Sequence, residues 1–487
     1  MRKRWIAGIA MLLFFALASS CVAEVGNIAG KCRFWVSEGN ASDISDDSMN
    51  TVWTPKNADA ELRIELPDSG AAWMQINWSV APKNYTLTEY DANQNVLSTR
   101  TAEDDSFPCI SQLVSLREDT KYISIRFTQS KQGINKIRIF PEGELPKTVV
   151  QWEAPHEKCD LMVISTHQDD EWLWFGGIIP YYDLVMNKDV QVVYMANCGR
   201  YRYAEALNGL AVSGVRTYPL FVGLKDQRDS TLTAAVKTWK SKDYILNVLV
   251  TVIRRFKPEV ILTHDWNGEY GHPQHILTSR AMEYAIKAAA DPAQYPDSAA
   301  EYGAWQVKKL YRHLEKKNQI KFDWHVSYPE FGGRTGLQVA TDSMNEHASQ
   351  LKYFQVKDGG QYDNSRFGLS YSTVGNDAEH KDLFENIAQE TPTPEPTPEP
   401  TPEPTAEPTP EPTAEPTLEP TPEPTPEPTA EPTVRPEPKR ERRVSAVPIA
   451  AVAAAAVVCA GIAVAMIYNS EKARRRRRRR RRRGTRR

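Results

Sequence analysis

The residues that could do the most chemistry in this chain lie in two stretches, one around positions 163–177 and one around positions 263–276. The first, "VISTHQDDEWLWFGG", runs a short apolar segment into His167, followed by Asp169, Asp170 and Glu171 with no basic residue among them. Adjacent carboxylates repel one another and raise each other's pKa. A bound divalent cation removes that cost. The second, "THDWNGEYGHPQHI", places His272 and His275 three apart at the start of an expected helix, so both can face one point. Histidine and aspartate are both zinc ligands, and His167, Asp170 and His275 would supply three of them, leaving a fourth position for water. That is the arrangement of a catalytic zinc site. Plainer readings exist for each stretch: an acidic helix N-terminus for Asp169–Glu171, a surface pair for the histidines, structural support for His264 and Asp265, and core packing for the "WLWF" aromatics.

Strands and helices must bring the two stretches together. Over residues 149–387, "CDLMVIST", "VQVVYMAN", "TYPLFVG" and "EVILTHD" read as strands. They alternate with helical patterns through "LWFGGIIPYYDLVM", "YRYAEALNGLAVSG", "TAAVKTWKSKDYILNVLVTVIRRF" (one long helix) and "HPQHILTSRAMEYAIKAAA". Strand alternating with helix predicts an α/β domain: a Rossmann-like, three-layer parallel sheet with helices on both faces. The first and fourth strands are neighbours in the usual doubly wound order. Ligands of such sheets sit beyond the carboxyl ends of the strands, so the two stretches should converge there.

The pattern before this domain differs. Over residues 26–146, "ELRIEL", "WMQINW", "NYTLTEYD", "KYISIRFTQ" and "INKIRIF" alternate apolar and polar residues between turn signals, with no convincing helix, which predicts a β-sandwich. "INKIRIFPEGEL", "YDANQNV" and "NTVWTP" resemble a discoidin-type, galactose-binding-like domain. Whether such a module binds sugar or only supports its neighbour stays open.

The paired motifs "HQDDE" and "YGHPQH" resemble the PIG-L (LmbE-like) zinc N-deacetylases, which hydrolyse the acetamide of N-acetylglucosamine-type sugars. The family's usual motifs read HPDDE and HPDH, so Gln168 and Gln274 replace a proline and an aspartate, neither at a ligand position. Losing the aspartate bears on how the neighbouring histidines are held. The likeness extends to "RYAE", "GLKD" and "HASQ". It implies Zn(2+) held by His167, Asp170 and His275, with Asp169 as general base. It further implies a protonated His272 and the Tyr270 hydroxyl on the oxyanion, and sugar contacts from Arg202 and Asp226. Arg202 and Glu205 also read as a helix ion pair.

The ends of the chain bear on location. Residues 1–23 read as a signal peptide, with a basic start, a short apolar core and small residues for cleavage after Ala23; a lipoprotein cut before Cys21 is the alternative. Residues 391–436 repeat "TPEPTPEP" and predict an extended, disordered Pro/Thr/Glu-rich stalk. Residues 445–468 carry no charge and have the length of a transmembrane helix, and residues 469–487 form an arginine-rich tail. The positive-inside bias puts that tail in the cytoplasm and the folded domains outside, on a single-pass cell-membrane protein. On this reading the arginines grip lipid headgroups and no nucleic acid partner is expected, although the formal net charge of the whole chain is only −2. In an exported protein Cys32 and Cys109 are placed to pair, whereas Cys159 and Cys198 are not expected to bond. The reading is thus a membrane-anchored deacetylase of N-acetylated amino-sugar glycans. A glycan-binding adhesin with an inactive deacetylase-like fold and a two-metal phosphoesterase are the alternatives.

Overall fold

The computed structural model describes residues 23–127 and 132–388. The expected signal peptide up to residue 22, the stalk, the transmembrane segment and the arginine tail lie outside the described residues. Among the described residues, no helix is long and apolar enough to cross a membrane.

The N-terminal part contains β1 (Arg33–Val36), β2 (Glu61–Glu65), β3 (Trp73–Trp78), β4 (Tyr85–Tyr90), β5 (Val96–Thr101), β6 (Ser111–Ser115), β7 (Tyr122–Phe127) and β8 (Ile134–Phe140). They make a five-stranded sheet, β1-β2-β7-β4-β5, and a three-stranded sheet, β6-β3-β8. The pairings are antiparallel, and strand alternation sends Leu62, Ile64, Met74, Ile76, Ile123, Ile125, Ile137 and Ile139 into one core with Trp53, Trp78 and Phe127. The strands β1, β5 and β6 escape the sequence pattern because their residues are mostly polar or half-exposed.

The second part contains β9 (Leu161–Ser165), β10 (Val190–Asn197), β11 (Leu220–Lys225), β12 (Val260–Thr263), β13 (Lys309–His313), β14 (Gln319–Lys321) and β15 (Arg366–Ser372) in the order β11-β10-β9-β12-β13-β15-β14. Leu161 and Val163 of β9 point into one core and Met162 and Ile164 into the other, so the sheet is covered on both faces. Its strands therefore read as continuous apolar runs. One face carries the helices Lys242–Phe256 and Pro273–Ala290, the other Arg200–Ser213 and Gly336–Asn345.

Four expectations need correction. The sheet is mixed: β9 to β13 pair in parallel, and β14 and β15 add an antiparallel edge, formed by sequence beyond residue 300 whose strands interleave charged and polar residues with apolar ones. The long helix is two, Leu232–Thr238 and Lys242–Phe256, because Lys240 takes a φ of 71° and the Ser241 hydroxyl caps the second helix by accepting from the Tyr244 N–H. The helical stretch after the carboxylates breaks into short turns at Gly176, whose φ is 49° and against which the Trp324 ring packs so closely that no Cβ would fit. Cys32 and Cys109 are both free thiols: Cys109 is buried in the core of the second part, while Cys32 packs on the sandwich core.

Arg254 shows how the helix bearing the second histidine motif is held. Its fully buried guanidinium donates to the carbonyls of Ala288, Ala289, Asp291, Gln294 and Tyr295, which closes the C-terminal end of Pro273–Ala290. Arg254→Met would remove the charged donor these carbonyls share, leaving the Gln294 carbonyl with none and the other four with only the N–H or hydroxyl each also accepts from. We expect it to lower unfolding free energy by at least about 2 kcal/mol in a denaturant titration, although it touches no residue of the candidate site.

Candidate active site

Strands β9 and β12 lie side by side in parallel, and both clusters leave their carboxyl ends. His272 caps the helix Pro273–Ala290, with Pro273 at its first position, so His275 stands one turn in and on the same side. Three atoms meet there: His167 Nδ1 lies 3.0 Å from His275 Nε2 and 3.2 Å from Asp170 Oδ2, and the last two are 3.2 Å apart. This triangle of two imidazole nitrogens and one carboxylate oxygen fits a divalent ion of borderline softness. His272 also falls within ligand range of His167 and His275, and His264 within range of Asp170 and His275.

The partners of these side chains settle which nitrogen faces inward. His167 Nε2 donates to Gln274 Oε1 at 3.0 Å, leaving Nδ1 for the shared point. Gln274 is held in turn by the Lys225 carbonyl and Asp229. The residue that departs from the family motif thus orients His167. Gln168, the other departure, is buried and bridges the Ala196 carbonyl and the Cys198 N–H at the end of β10. His275 Nδ1 donates to Glu269 Oε2 at 2.8 Å, which turns Nε2 toward Asp170. Glu269 is fully buried and also accepts from His264 Nδ1 and His313 Nδ1, each at 2.8 Å. Burial alone would raise its pKa, but the three imidazoles outweigh it and hold Glu269 well below the usual carboxylate range. Burial opposes ionisation of Asp170 as well. His275 and His167 nevertheless keep it well below its ordinary value, and Trp174 Nε1 donates to its second oxygen at 2.7 Å.

Asp169 differs from its neighbour. Its backbone has a φ of 138°, a conformation that costs a non-glycine residue about 1–3 kcal/mol. Glu171 Oε2 accepts from its N–H at 2.7 Å, and Arg202 reaches its carboxylate at 3.0 Å and the Gln168 carbonyl. Burial, with Asp170 and Glu171 close by, pushes Asp169 up to about 7 despite Arg202. A carboxyl at that value is suited to taking and returning a proton near neutral pH.

Two expectations change here. Arg202 is not free for a sugar: its side chain is largely buried and spans Asp169 and Glu205, a helix-borne ion pair that positions Asp169. His272 is neutral, because burial and the nearby His275 and His167 push it down to about 3; its Nδ1 has no hydrogen-bond partner. Asp226 stays partly exposed, 3.6 Å from His167 Nε2. Tyr270, half-exposed with a φ of 47°, lies 5.7 Å from the rings of both His272 and His275. With Trp174, Phe354 and Tyr362 it forms an aromatic rim. Glu269 and His313 were not foreseen. Glu269 sits within the quoted motif but looks like an ordinary loop acid, and His313 comes from a strand with no motif.

Residues 162–286, within the α/β part, match the family model described as PIG-L: GlcNAc-PI de-N-acetylase. The chain is 36% identical over 178 residues to a 1D-myo-inositol 2-acetamido-2-deoxy-alpha-D-glucopyranoside deacetylase of Geodermatophilus obscurus, covering 31% of this chain and 60% of that protein. It is 34% identical over 198 residues to the deacetylase 1 of the same description from Catenulispora acidiphila, covering 35% and 59%. The match thus spans about three fifths of these relatives' own lengths. Among solved structures, the N,N'-diacetylchitobiose deacetylase of Pyrococcus horikoshii aligns at 15% identity and a TM-score of 0.32 over 39% of this chain and 70% of that one.

Because Glu269 and Gln274 orient ligand nitrogens without occupying the shared point, Glu269→Gln and Gln274→Leu should each weaken metal affinity about 10–100-fold, read by competition with a chelator. Unchanged affinity in both would remove them from this role.

Proposed function

We propose that this chain is an exported, membrane-anchored, zinc-dependent hydrolase that removes the N-acetyl group from N-acetylglucosamine-type sugars at the cell surface. The observation that carries the reading is the triangle of His167 Nδ1, Asp170 Oδ2 and His275 Nε2, with the strained, buried Asp169 beside it. The matched family model and the named relatives, which are deacetylases of an N-acetylglucosamine-containing compound, support the same chemistry. The signal-like start and the apolar C-terminal segment support export and anchoring. In this reading the sandwich is a discoidin-type, galactose-binding-like module.

His167, Asp170 and His275 would hold the ion. When bound, it supplies Lewis acidity at the amide carbonyl and lowers the pKa of coordinated water toward about 7. Asp169 takes a proton from the attacking water and returns it to the departing nitrogen, so water and acetamide become acetate and amine. Arg202 and the Glu171 carboxylate keep Asp169 in its unusual backbone conformation, aimed at the same point. His272, as a neutral imidazole, and the Tyr270 hydroxyl donate hydrogen bonds to the oxygen that gains charge at the carbonyl carbon. The rings of Tyr270, Phe354 and Tyr362, packed around the buried Trp174, offer apolar faces to a sugar ring, with Asp226 partly exposed for its hydroxyls.

The test is release of acetate from a panel of N-acetylated glycans with and without a chelator. Asp169→Asn should keep the metal and lose about 10²–10⁴-fold in kcat. His275→Ala should lose the metal itself. Near-full turnover in Asp169→Asn, or full metal occupancy in His275→Ala, would refute the respective assignment.

A further inference from the structure

Asp169 is gripped from two sides, and both grips lead to one turn far along the chain. The helix Gly336–Asn345 begins on a capping box at Thr335. Beyond its end the chain turns: the His347 N–H donates to the Met344 carbonyl at 2.9 Å, and the His347 carbonyl accepts from the Gln350 N–H at 2.8 Å. The turn carries His347 and Ser349 to the back of the candidate site, where His347 is fully buried. Its ring passes the helix Arg200–Ser213 at Gly209, where a Cβ would stand 3.2 Å from His347 Nε2 and 2.7 Å from Trp172 Nε1. Glycine at that position lets the imidazole through.

The first grip holds the Asp169 carboxylate. The Ser349 N–H and hydroxyl each donate to Glu205 at 2.7 Å. Glu205 pairs with Arg202 at 3.6 Å, and Arg202 with Asp169 at 3.0 Å. The second grip holds the Asp169 backbone. Glu171 Oε2 accepts from the Asp169 N–H at 2.7 Å, while Glu171 Oε1 lies 3.1 Å from His347 Nε2. Glu171 and His347 are both fully buried, and neither Oε1 nor Nε2 has a hydrogen-bond partner elsewhere. A carboxylate out of water must be matched by donors or positive charge. Arg202 is engaged by Asp169 and Glu205. Tyr194 faces Glu171, but burial and that carboxylate push its hydroxyl well above the usual tyrosine range, so it is a neutral neighbour. The orientation of Glu171 therefore depends on His347. A φ of 138° at Asp169 persists only where the surroundings over-determine it, and the two grips do so together.

We propose that the turn at residues 347–349 sets the working geometry of Asp169, with His347 as a positioning residue that acts through Glu171 and Ser349 as one that acts through Glu205 and Arg202. This rests on the deacetylase reading, in which Asp169 moves the proton. A base displaced by a fraction of an ångström still lets substrate and ion bind but slows the proton transfer, so the loss falls on turnover.

The test compares the zinc-loaded full chain with its His347→Ala, His347→Gln and Ser349→Ala variants. Two readouts are taken: the kinetics of acetate release from the glycan hydrolysed fastest, and hydrogen exchange at the Asp169 amide. His347→Ala should lower kcat at least about tenfold with KM and metal affinity unchanged, and should speed exchange at that amide by a similar factor. His347→Gln keeps an N–H for Glu171 and should recover most of both. Should His347→Ala fold poorly, the partly exposed Ser349→Ala carries the test, with a severalfold loss of kcat at unchanged KM and melting midpoint. Unchanged kcat and amide exchange in His347→Ala, or in Ser349→Ala where that variant carries the test, overturn the proposal. Equal losses in His347→Ala and His347→Gln with lowered melting midpoints overturn it too, since His347 would then only fill the core. Failure of the deacetylase reading shows instead as no acetate release by the unsubstituted chain, and the Asp169 amide still reports whether His347 holds it.

Discussion

His275 stands between two buried carboxylates, 2.8 Å from Glu269 on one side and 3.2 Å from Asp170 on the other. Carboxylates out of water must be paired with positive charge. Glu269 is balanced by three imidazoles, and Asp170 by the two histidines of the shared point. Those groups come from the segment just after β9, from the loop and helix after β12 and from β13, so the arrangement exists only while three neighbouring parallel strands keep their register. The apolar layers on both faces of the sheet supply that rigidity, and Arg254 secures the far end of the helix that carries His275.

The two central aspartates have opposite environments although they are adjacent in sequence. Asp170 is surrounded by imidazoles and kept ionised, which suits a ligand. Asp169 is buried with like charges nearby, and Arg202 and His347 oppose them only in part, which suits a group that exchanges protons. Its strained backbone is what separates the roles: a φ of 138° turns its carboxylate toward Arg202 while Asp170 turns toward the histidines. In turn, Glu205 holds Arg202 and accepts from Ser349, so the "RYAE" and "HASQ" stretches meet behind the aspartate.

Much of this was legible in the chain. The four-residue and longer apolar runs at β9, β10 and β12 announce a sheet buried on both faces, and the carboxyl-end rule then brings His167 and His275 together. What could not be read has physical reasons. Glu269 is a single acid among polar loop residues, and only tertiary burial makes it a hub. The break at Lys240 lies inside a periodic apolar pattern, where the Ser241 cap competes with helix continuation. Strand β13 contains buried Lys309, Arg312 and His313, side chains that mask a strand signal and are tolerated because each finds a partner. Arg202 looked available to substrate because its partner, Asp169, is brought to it by folding.

The central claim is that two distant segments share one ion through two imidazoles and one carboxylate. X-ray absorption at the metal edge of the zinc-loaded chain addresses it most directly. The account predicts one ion per chain with only nitrogen and oxygen neighbours at about 2.0–2.2 Å, including two imidazoles. A shell containing sulfur, or a second metal a few ångströms from the first, would contradict it.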